Sequence, residues 1–238
     1  MNSSYRIERL QVSATGENFL FFERNGHRIS PWHDIPLFAD DKCETLNMIV
    51  EIPRQCKAKM EISKEDRYNP IKQDILNGRP RQLADIPPFQ GYPCNYGALP
   101  RTWEDPDAID ALNGLGGDDD PLDVCEIGSA LAICGQVKRI KPLGAFVILD
   151  EGQTDWKVVA IDVSDPLANE LSEICDVERC LPGFLHSLKE WYRRYKVPEG
   201  KGENTLGLRG QLMGRQFALG LIHHFHTAWK PRNGYPDA

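Results

Sequence analysis

Along the first two thirds of the chain, apolar and polar residues alternate in short runs, which is the pattern of β-strands. FLFFERNGHRIS contains two such runs around Asn25-Gly26, a dipeptide that favours a two-residue turn, so this segment predicts a β-hairpin. NMIVEIPR and AKMEIS follow, with β-branched residues and the same alternation. Three later strands, joined by short turns, are predicted from LDVCEIG, QVKRIKPLGAFVILD and DWKVVAIDV.

Between these strands, residues 65–120 are rich in Pro, Gly, Asp and Asn. Such a composition predicts long ordered loops rather than helices or strands. Loops of this length in a compact domain are usually functional or disordered, and both alternatives are open at this point.

The last third of the chain changes to a helical period. Leu188, Trp191 and Tyr195 lie three and four residues apart and predict a helix that ends at Pro198. A final helix is predicted from about Gly214 to Trp229, with its apolar residues in one stripe. Strands followed by helices indicate an α+β fold with an antiparallel sheet or barrel, and without a linker or repeat we expect residues 1–238 to form one domain.

Composition and charge restrict the function. The 238 residues are 41% hydrophobic and 26% charged, as in an ordinary globular protein. The net charge of −7 argues against a nucleic-acid partner, because a protein that binds phosphate backbones needs a basic surface. No signal peptide and no apolar run of transmembrane length are present, so we expect a cytoplasmic protein without a membrane partner. Seven scattered cysteines without a CxxC motif predict free thiols in a reducing compartment.

The segment GGDDDPLDVCEIG crowds four carboxylates, from Asp118 to Asp123, into six positions. One interpretation is a solvated turn in which water screens their repulsion. The other is a divalent cation that reverses the sign of the interaction. An EF-hand loop is excluded, since Asp123 would occupy the position of the required glycine. Asp118 and Asp120 are two residues apart, so in extended backbone they share a face.

Two further acid–base groups occur on predicted strands. Asp150 and Asp155 flank a tight connection, and Lys157 follows on the same face as Asp155. Lys59 and Glu61 form a similar pair, and each pair alone could be a weak surface ion pair. Three such groups favour a shared cavity. Oxygen ligands without histidine suit Mg²⁺ or Mn²⁺, with phosphates of a substrate completing the shell. Candidate donors to such phosphates are Lys59, Arg81, Lys157, Lys196, Tyr96 and Tyr195.

GDDDPLDVCEIG resembles the signature of family I soluble inorganic pyrophosphatases, in which Asp, a variable residue, Asp, Pro, an apolar residue and Asp follow one another. Other segments resemble the eukaryotic type of this family in the expected order: EIPRQCKAKMEI, NPIKQD, GYPCNYGALPRTWEDP, GQVKRIKPLG, DEGQTDWKVVAIDV and EWYRRYKVPEGKGEN. The similarity runs from about Tyr5 to Trp229. It implies a small five-stranded antiparallel OB-like β-barrel with flanking helices and an N-terminal β-hairpin extension. The expected parts are an N-terminal strand extension (1–50), the barrel with its active-site loops (51–163) and a helical part (164–238).

The resemblance also implies the activity, which is Mg²⁺-dependent hydrolysis of pyrophosphate to two phosphates by a metal-bridging water. Several Mg²⁺ ions would bind in the site, with Mn²⁺ as a possible substitute. Asp118, Asp123 and Asp155 would hold the first metal, and Asp123 would also reach towards the second. Asp150 and Asp155 would hold a metal that arrives with the substrate, with Glu61 acting through water, and Asp120 would be the base. Glu51 and Tyr92 would support the wall of the site. The phosphate-binding and catalytic donors would be Lys59, Arg81, Tyr96, Lys157, Tyr195 and Lys196.

The sequence departs from the family pattern at Gln153 and a few other positions, which bears on rate and metal preference, and one alternative function is open. Gln153 stands where the family usually has Glu, which removes a negative charge beside two proposed ligands. A pyrophosphatase-fold scaffold subunit, for instance in a chromatin assembly, is the alternative function; the intact set of acidic and basic residues favours the enzyme. Pyrophosphate and phosphate are the expected ligands, and the eukaryotic type implies a homodimer.

Overall fold

Strands outnumber helices in the described part of the chain, and the three α-helices lie in its last third. The computed structural model describes residues 5–11, 18–40, 42 and 44–232, and these residues form the elements below. The strands, in chain order, are β1 (Arg6–Gln11), β2 (Asn18–Arg24), β3 (His27–Ile29), β4 (Leu46–Ile52), β5 (Met60–Ile62), β6 (Ile71–Gln73), β7 (Ile75–Leu76), β8 (Arg79–Pro80), β9 (Asn95–Ala98), β10 (Asp123–Glu126), β11 (Val137–Asp150), β12 (Gln153–Asp162), β13 (Thr205–Leu206) and β14 (Met213–Gly214). The helices are α1 (Ile174–Cys180), α2 (Phe184–Arg194) and α3 (Arg215–Arg232), and three short 3-10 helices cover Pro166–Asn169, Val197–Glu199 and Gly207–Gly210.

The N-terminal hairpin forms where the sequence predicts it. β2 pairs antiparallel with β3 across Asn25 and Gly26, whose φ angles are 55° and 78°. Both residues are left-handed, as a type I′ turn requires, and Asn and Gly adopt this conformation at low cost. β2 also pairs with β1 and with β6, and β6 pairs with β5, so the hairpin belongs to a sheet of its own. The predicted N-terminal β-hairpin is therefore confirmed; residues 1–4, 12–17, 41 and 43 of the expected extension lie outside the described residues.

Five strands close into a barrel in the order β12, β10, β9, β4, β11, because β11 pairs back on β12. All the neighbouring pairs in this ring are antiparallel except β10 and β12, which are parallel. The predicted antiparallel barrel is therefore present, with this one parallel pair among the described strands. The reason is geometric: strand directions can alternate around a closed ring only if the number of strands is even. A ring of five must contain a parallel pair.

The segment predicted as loops contains four short strands, and one of them is central. β9 lies between β4 and β10 in the barrel, so the prediction of loops throughout residues 65–120 is wrong there. The strand is only four residues long and includes Gly97, which conceals its periodicity. A Cβ atom on Gly97 would lie 1.9 Å from the carbonyl oxygen of Ile49, so glycine is what allows β4 to pair so closely.

β11 and β12 form the long hairpin that the sequence predicts. Glu151 and Gly152 make its two-residue turn, with φ angles of 51° and 88°. The N-terminal part of β11 pairs with β4 and the rest with β12, across a register shift between Pro142 and Gly144. One strand thereby joins both sides of the barrel.

The helices cover opposite sides of the barrel. Buried Leu188 and Trp191 of α2 pack in a cluster with Val159 of β12, whereas Ile222 of α3 packs in another cluster with Val158. Adjacent residues of β12 point to opposite faces, so the two helices necessarily contact alternate positions. Both predicted helices are confirmed. α2, however, ends at Arg194, and Pro198 lies inside the following 3-10 helix.

The described helices and cysteines are consistent with the sequence patterns. None of the helices in the described part of the chain combines the length and apolar character that a membrane crossing requires. Six cysteines are free thiols: Cys56, Cys94, Cys125, Cys134, Cys175 and Cys180. The seventh, Cys43, lies outside the described residues.

Candidate active site

A cavity of about 200 Å³ opens between the barrel, the acidic loop and the segment after α2. All the candidate site residues except Glu51 line it: Lys59, Glu61, Arg81, Tyr92, Tyr96, Asp118, Asp120, Asp123, Asp150, Asp155, Lys157, Tyr195 and Lys196. Glu51 lies in an adjoining smaller space, together with Lys59, Glu61 and Tyr96. The three acid–base groups that lie far apart in sequence therefore converge, as the shared-cavity hypothesis requires. Glu151, Gln153 and Tyr192 also line the cavity.

The parallel strands β10 and β12 place the central charges. Asp123 and Lys157 are direct register partners, and the Lys157 ammonium contacts the carboxylates of both Asp123 and Asp155. The Tyr96 hydroxyl donates to Oδ2 of Asp123 over 2.6 Å. These four side chains are all buried. Their hydrogen bonds fix a positive charge between two negative ones at the bottom of the cavity.

The turn between β11 and β12 carries a second ion pair. Lys196 Nζ lies 2.6 Å from Oδ1 of Asp150 and 3.1 Å from Oε2 of Glu151. The Tyr195 hydroxyl lies 3.2 Å from the other oxygen of Asp150. The segment after α2 is thus held against the hairpin by charged hydrogen bonds. The predicted substrate donors Tyr195 and Lys196 face the predicted ligand Asp150.

Arg81 is oriented by two acidic residues that the sequence analysis missed. Its Nε and Nη2 atoms donate to the two carboxylate oxygens of Glu199 at 2.8 Å each, and its Nη1 donates to Asp74 at 3.0 Å. Asp74 follows β6, and Glu199 is 118 positions from Arg81. No local sequence pattern connects such distant residues, so only the fold could reveal this pairing.

The acidic loop brings Asp118 and Asp120 to the same cavity, as predicted, but through a bend and not through extended backbone. Asp118 and Asp120 line the cavity, and the amide of Asp120 donates to Oδ1 of Asp118 over 3.1 Å. Asp119 adopts a left-handed φ of 67° and accepts a hydrogen bond from Trp103 Nε1 over 2.8 Å. Lys64 lies 3.0 Å from Asp120 and 3.4 Å from Asp119. The loop is therefore a bonded structure rather than a freely solvated turn.

Three carboxylates lie close enough to share a cation. Glu104, Asp118 and Asp155 each offer an oxygen within 4.8 Å of the other two. Glu104 is fully buried, and its Oε2 atom has no hydrogen-bond partner. Carboxylate oxygens are the ligands that hard divalent cations prefer, and an unpartnered buried oxygen lacks the compensation that a cation would provide. The site therefore fits a divalent metal. Glu104 was missed because GYPCNYGALPRTWEDP shows nothing that distinguishes it from the neighbouring acids.

Comparison with known proteins identifies the chain's relatives. The family model described as "Inorganic pyrophosphatase" matches residues 48–230. The chain belongs to the inorganic pyrophosphatase family. An inorganic pyrophosphatase of Emericella nidulans is 48% identical over 227 residues, which cover 95% of this chain and 79% of that protein. Membership of this family makes the chain an inorganic diphosphatase, as its motifs predict, and does not favour the scaffold alternative.

Solved pyrophosphatase structures share the fold. The structure of inorganic pyrophosphatase from Schistosoma japonicum superposes with a TM-score of 0.91 at 45% identity, over 95% of this chain and 80% of that one. The vacuolar soluble pyrophosphatase of Trypanosoma cruzi, crystallised without its N-terminal domain and in complex with pyrophosphate, superposes with a TM-score of 0.88 at 36% identity. That match covers 97% of this chain and 92% of the other. The predicted α+β barrel fold is confirmed.

Burial and mutual repulsion alter the ionisation of the pyrophosphatase carboxylates. Burial raises the pKa of Asp118 and Glu104 well above the usual values, and neighbouring carboxylates raise each further. Burial likewise raises the pKa of Asp155 to about 7, although Lys157 opposes this shift. Without metal, the protonated form of each group is therefore favoured more than in an exposed carboxyl group. A divalent cation would compete with those protons for the same oxygens.

The pKa of the buried Lys157 is also raised, which for an amine favours the charged form. Burial alone would lower the pKa of Lys157, but Asp123, Asp155 and Asp118 outweigh burial and raise it well above the usual value. Lys157 therefore stays charged throughout the neutral pH range. This charge is available to a substrate anion that enters the pyrophosphatase cavity.

Proposed function

We propose that the protein hydrolyses inorganic pyrophosphate to two orthophosphates in this cavity, with Mg²⁺ as its cofactor and Mn²⁺ as a possible substitute. The observation that carries the proposal is the meeting of clustered carboxylates and buried cations on the wall of one cavity. A small, highly charged anion offers little shape to recognise, so binding depends on such an arrangement of charge. Family membership supports the same substrate.

The metal ions would be held by carboxylates alone. Asp118, Asp123 and Asp155 would hold the first ion, and Asp123 would also reach towards a second. Asp150 and Asp155 would receive an ion that arrives with the substrate, with Glu61 acting through water. When bound, the ions lower the pKa of a water molecule and neutralise phosphate charge.

Asp120 would serve as the base that takes the proton of the attacking water. Its carboxylate lines the cavity together with that of Asp118. The hydrogen bond from the backbone amide of Asp120 to the Asp118 carboxylate fixes the position of Asp120 relative to that ligand. Burial raises the pKa of Asp120, and Lys64 opposes the shift. A carboxylate with a raised pKa is a stronger proton acceptor than an ordinary one.

The cavity's donors would bind the two phosphates. Arg81 has five N–H donors and uses three on Glu199 and Asp74, which leaves two for a phosphate. Lys157 at the bottom and Lys196 at the hairpin supply opposing ammonium groups. The other proposed donors are Lys59, Tyr96 and Tyr195. Charge that develops on the leaving phosphate is stabilised by these preorganised donors.

Glu51 and Tyr92 would support the wall. Oε1 of Glu51 accepts from the amide of Ile62 over 2.6 Å, which fixes the strand that carries Glu61. The Tyr92 ring lies 4.8 Å from the ring of Trp191, between the barrel and α2. Neither residue needs to touch substrate for these roles.

We further propose that residues 1–238 fold as a single domain and that the protein is a cytoplasmic homodimer. The free thiols of the six described cysteines support a reducing compartment. The resemblance to the eukaryotic type supports the dimer. Gel filtration with light scattering tests the oligomeric state, and limited proteolysis tests the single domain. Microscopy of a tagged chain tests the location.

A substrate comparison tests the proposed reaction. Phosphate release is measured from pyrophosphate, tripolyphosphate and ATP, each with Mg²⁺ and with EDTA. We expect fast Mg²⁺-dependent release from pyrophosphate and little from the other two. Preference for a longer substrate would contradict the assignment, and absence of turnover on all three would leave the scaffold function.

A further inference from the structure

Glu104 is a buried acid for which the proposed reaction gives no role. It is fully buried in the loop that follows β9, and its Oε1 atom accepts a hydrogen bond from the amide of Trp156 over 3.2 Å. Its Oε2 atom has no partner. A buried carboxylate oxygen without a hydrogen bond is costly, and in native proteins such an atom calls for an explanation.

The backbone of Glu104 is joined to the acidic loop. Its amide donates to the carbonyl of Asp120, and its carbonyl accepts from the amide of Asp119, both over 2.9 Å. Gly117 lies so close that a Cβ atom there would be 2.4 Å from the Glu104 carbonyl. The chain is therefore built to hold the acidic loop tightly against Glu104.

Its side chain, in contrast, is joined to β12. The amide of Trp156 donates a hydrogen bond to the Glu104 carboxylate, and Trp156 directly follows Asp155 in the sequence. Glu104 is thus bonded to both segments that supply the neighbouring acids, Asp118 from the loop and Asp155 from the strand. One carboxylate oxygen of Glu104 lies within 4.8 Å of an oxygen of Asp118 and of Asp155.

We propose that Glu104 supplies a further carboxylate to the cation site of Asp118, Asp123 and Asp155. This inference rests on the proposed use of a divalent metal and adds a residue to it. Asp123, the other acid expected there, has one oxygen engaged by Tyr96 and Lys157. Glu104, in contrast, keeps one oxygen without a hydrogen-bond partner. A dication among these carboxylates converts their repulsion into attraction.

Metal binding by the free protein tests this role without relying on activity. Binding of Mn²⁺ alone is measured by equilibrium dialysis and electron paramagnetic resonance for the wild type, Glu104→Gln and Asp105→Asn. Glutamine keeps an acceptor for the Trp156 amide, and Asp105 is a matched control on the same loop outside the group of three acids. We expect Glu104→Gln to weaken one Mn²⁺ site by about 10- to 100-fold and Asp105→Asn to bind normally. Unchanged Mn²⁺ affinity in Glu104→Gln would overturn the proposal.

Thermal unfolding separates a metal role from a structural one. In EDTA, Glu104→Gln should melt at the wild-type temperature or above, because a repelling acid is removed, while the rise in Tm on adding Mn²⁺ should shrink. A lower Tm in EDTA with a normal Mn²⁺-induced rise would show a purely structural residue and refute the inference. If the glutamine variant does not fold, Glu104→Asp, which keeps the charge but withdraws the oxygen by one methylene, should show the same loss of Mn²⁺ affinity, and normal affinity there would count against the role.

Asp118→Asn distinguishes this inference from the function on which it rests. If Asp118→Asn loses Mn²⁺ affinity and Glu104→Gln does not, only the role of Glu104 fails. If neither variant changes Mn²⁺ binding, the proposed metal site itself is wrong.

Discussion

Asp123 and Lys157 face each other at the same register position of the one parallel strand pair in the barrel, and their charged groups are in contact. Lys157 also contacts Asp155, so one ammonium is shared by two buried carboxylates. This arrangement partly offsets the negative charge of the metal-free cavity. In the proposed reaction the same ammonium also binds substrate, so stability and activity would depend on one ion pair.

Lys157→Met tests that dual dependence. In EDTA, the free energy of unfolding should fall by about 3–5 kcal/mol, because two buried carboxylates lose their counter-charge. Adding Mg²⁺ should restore most of this loss, since the ion neutralises the same acids. Urea denaturation with EDTA and with Mg²⁺ measures both effects. Lys57→Met, which breaks an exposed pair with Asp85, is the control and should change stability by less than about 1 kcal/mol.

Asp120→Asn separates proton transfer from metal binding. We expect turnover to fall by about 10²- to 10⁴-fold because the base is removed. Mn²⁺ binding should persist, since the neighbouring ligand Asp118 is intact. Steady-state kinetics and equilibrium dialysis measure the two properties. Near-normal turnover would show that another group takes the proton.

Glu199→Gln tests how Arg81 is positioned. Removing one charged partner loosens the guanidinium, so KM for pyrophosphate should rise by about tenfold, as expected for a lost charged hydrogen bond, with a smaller change in kcat. Arg81→Ala should raise KM further, and adding Glu199→Gln to it should have little extra effect. Glu203→Gln, an acid that pairs with Arg193 outside the cavity, is the control. Independent, additive effects of the Arg81 and Glu199 changes would contradict the positioning role.

Glu51 should make the metal-free protein less stable as the pH rises. Burial raises its pKa from 4.5 to about 8 in the folded state. Between those values the folded chain holds a proton that the unfolded chain releases, so stability falls as the pH rises towards 8, by at most about 1.4 kcal/mol per pH unit. Glu51→Gln, which keeps an acceptor for the Ile62 amide, should flatten this dependence. Urea denaturation from pH 5 to 9 in EDTA measures it, and an equally steep profile in the variant would refute the assignment.

The sequence predicted those features whose cause lies within a few residues. Asn25-Gly26 specifies its turn by local conformation. Asp118 and Asp120 do reach one cavity, but the bend at Asp119, rather than an extended strand, brings them there. β9 escaped prediction because its four residues, with Gly97 among them, carry too little periodicity. Features that depend on ring closure escaped as well. The parallel pairing of β10 with β12 follows from the number of strands in the ring, which no local pattern encodes.

The candidate site likewise contains residues that the sequence revealed and residues that only the fold revealed. Its acids and bases were recognisable from motifs, and the fold brings them to one cavity. Glu104 and Glu199 were not recognised, because each acts through residues distant in sequence. Glu199 meets Arg81 across 118 positions, and Glu104 meets Trp156 across 52. Partners of that kind are set by tertiary contacts alone.

The way β11 bridges β4 and β12 has a consequence for the newly made chain. Until β11 and β12 leave the ribosome, β4, β9 and β10 can form only an open three-stranded ribbon whose outer strands lack neighbours. Unpaired edge strands of this kind can pair with strands of other chains. The β11–β12 hairpin pairs with both edge strands at once. A substitution that weakens this hairpin would therefore promote aggregation of the newly made protein before it lowered the activity of the folded enzyme.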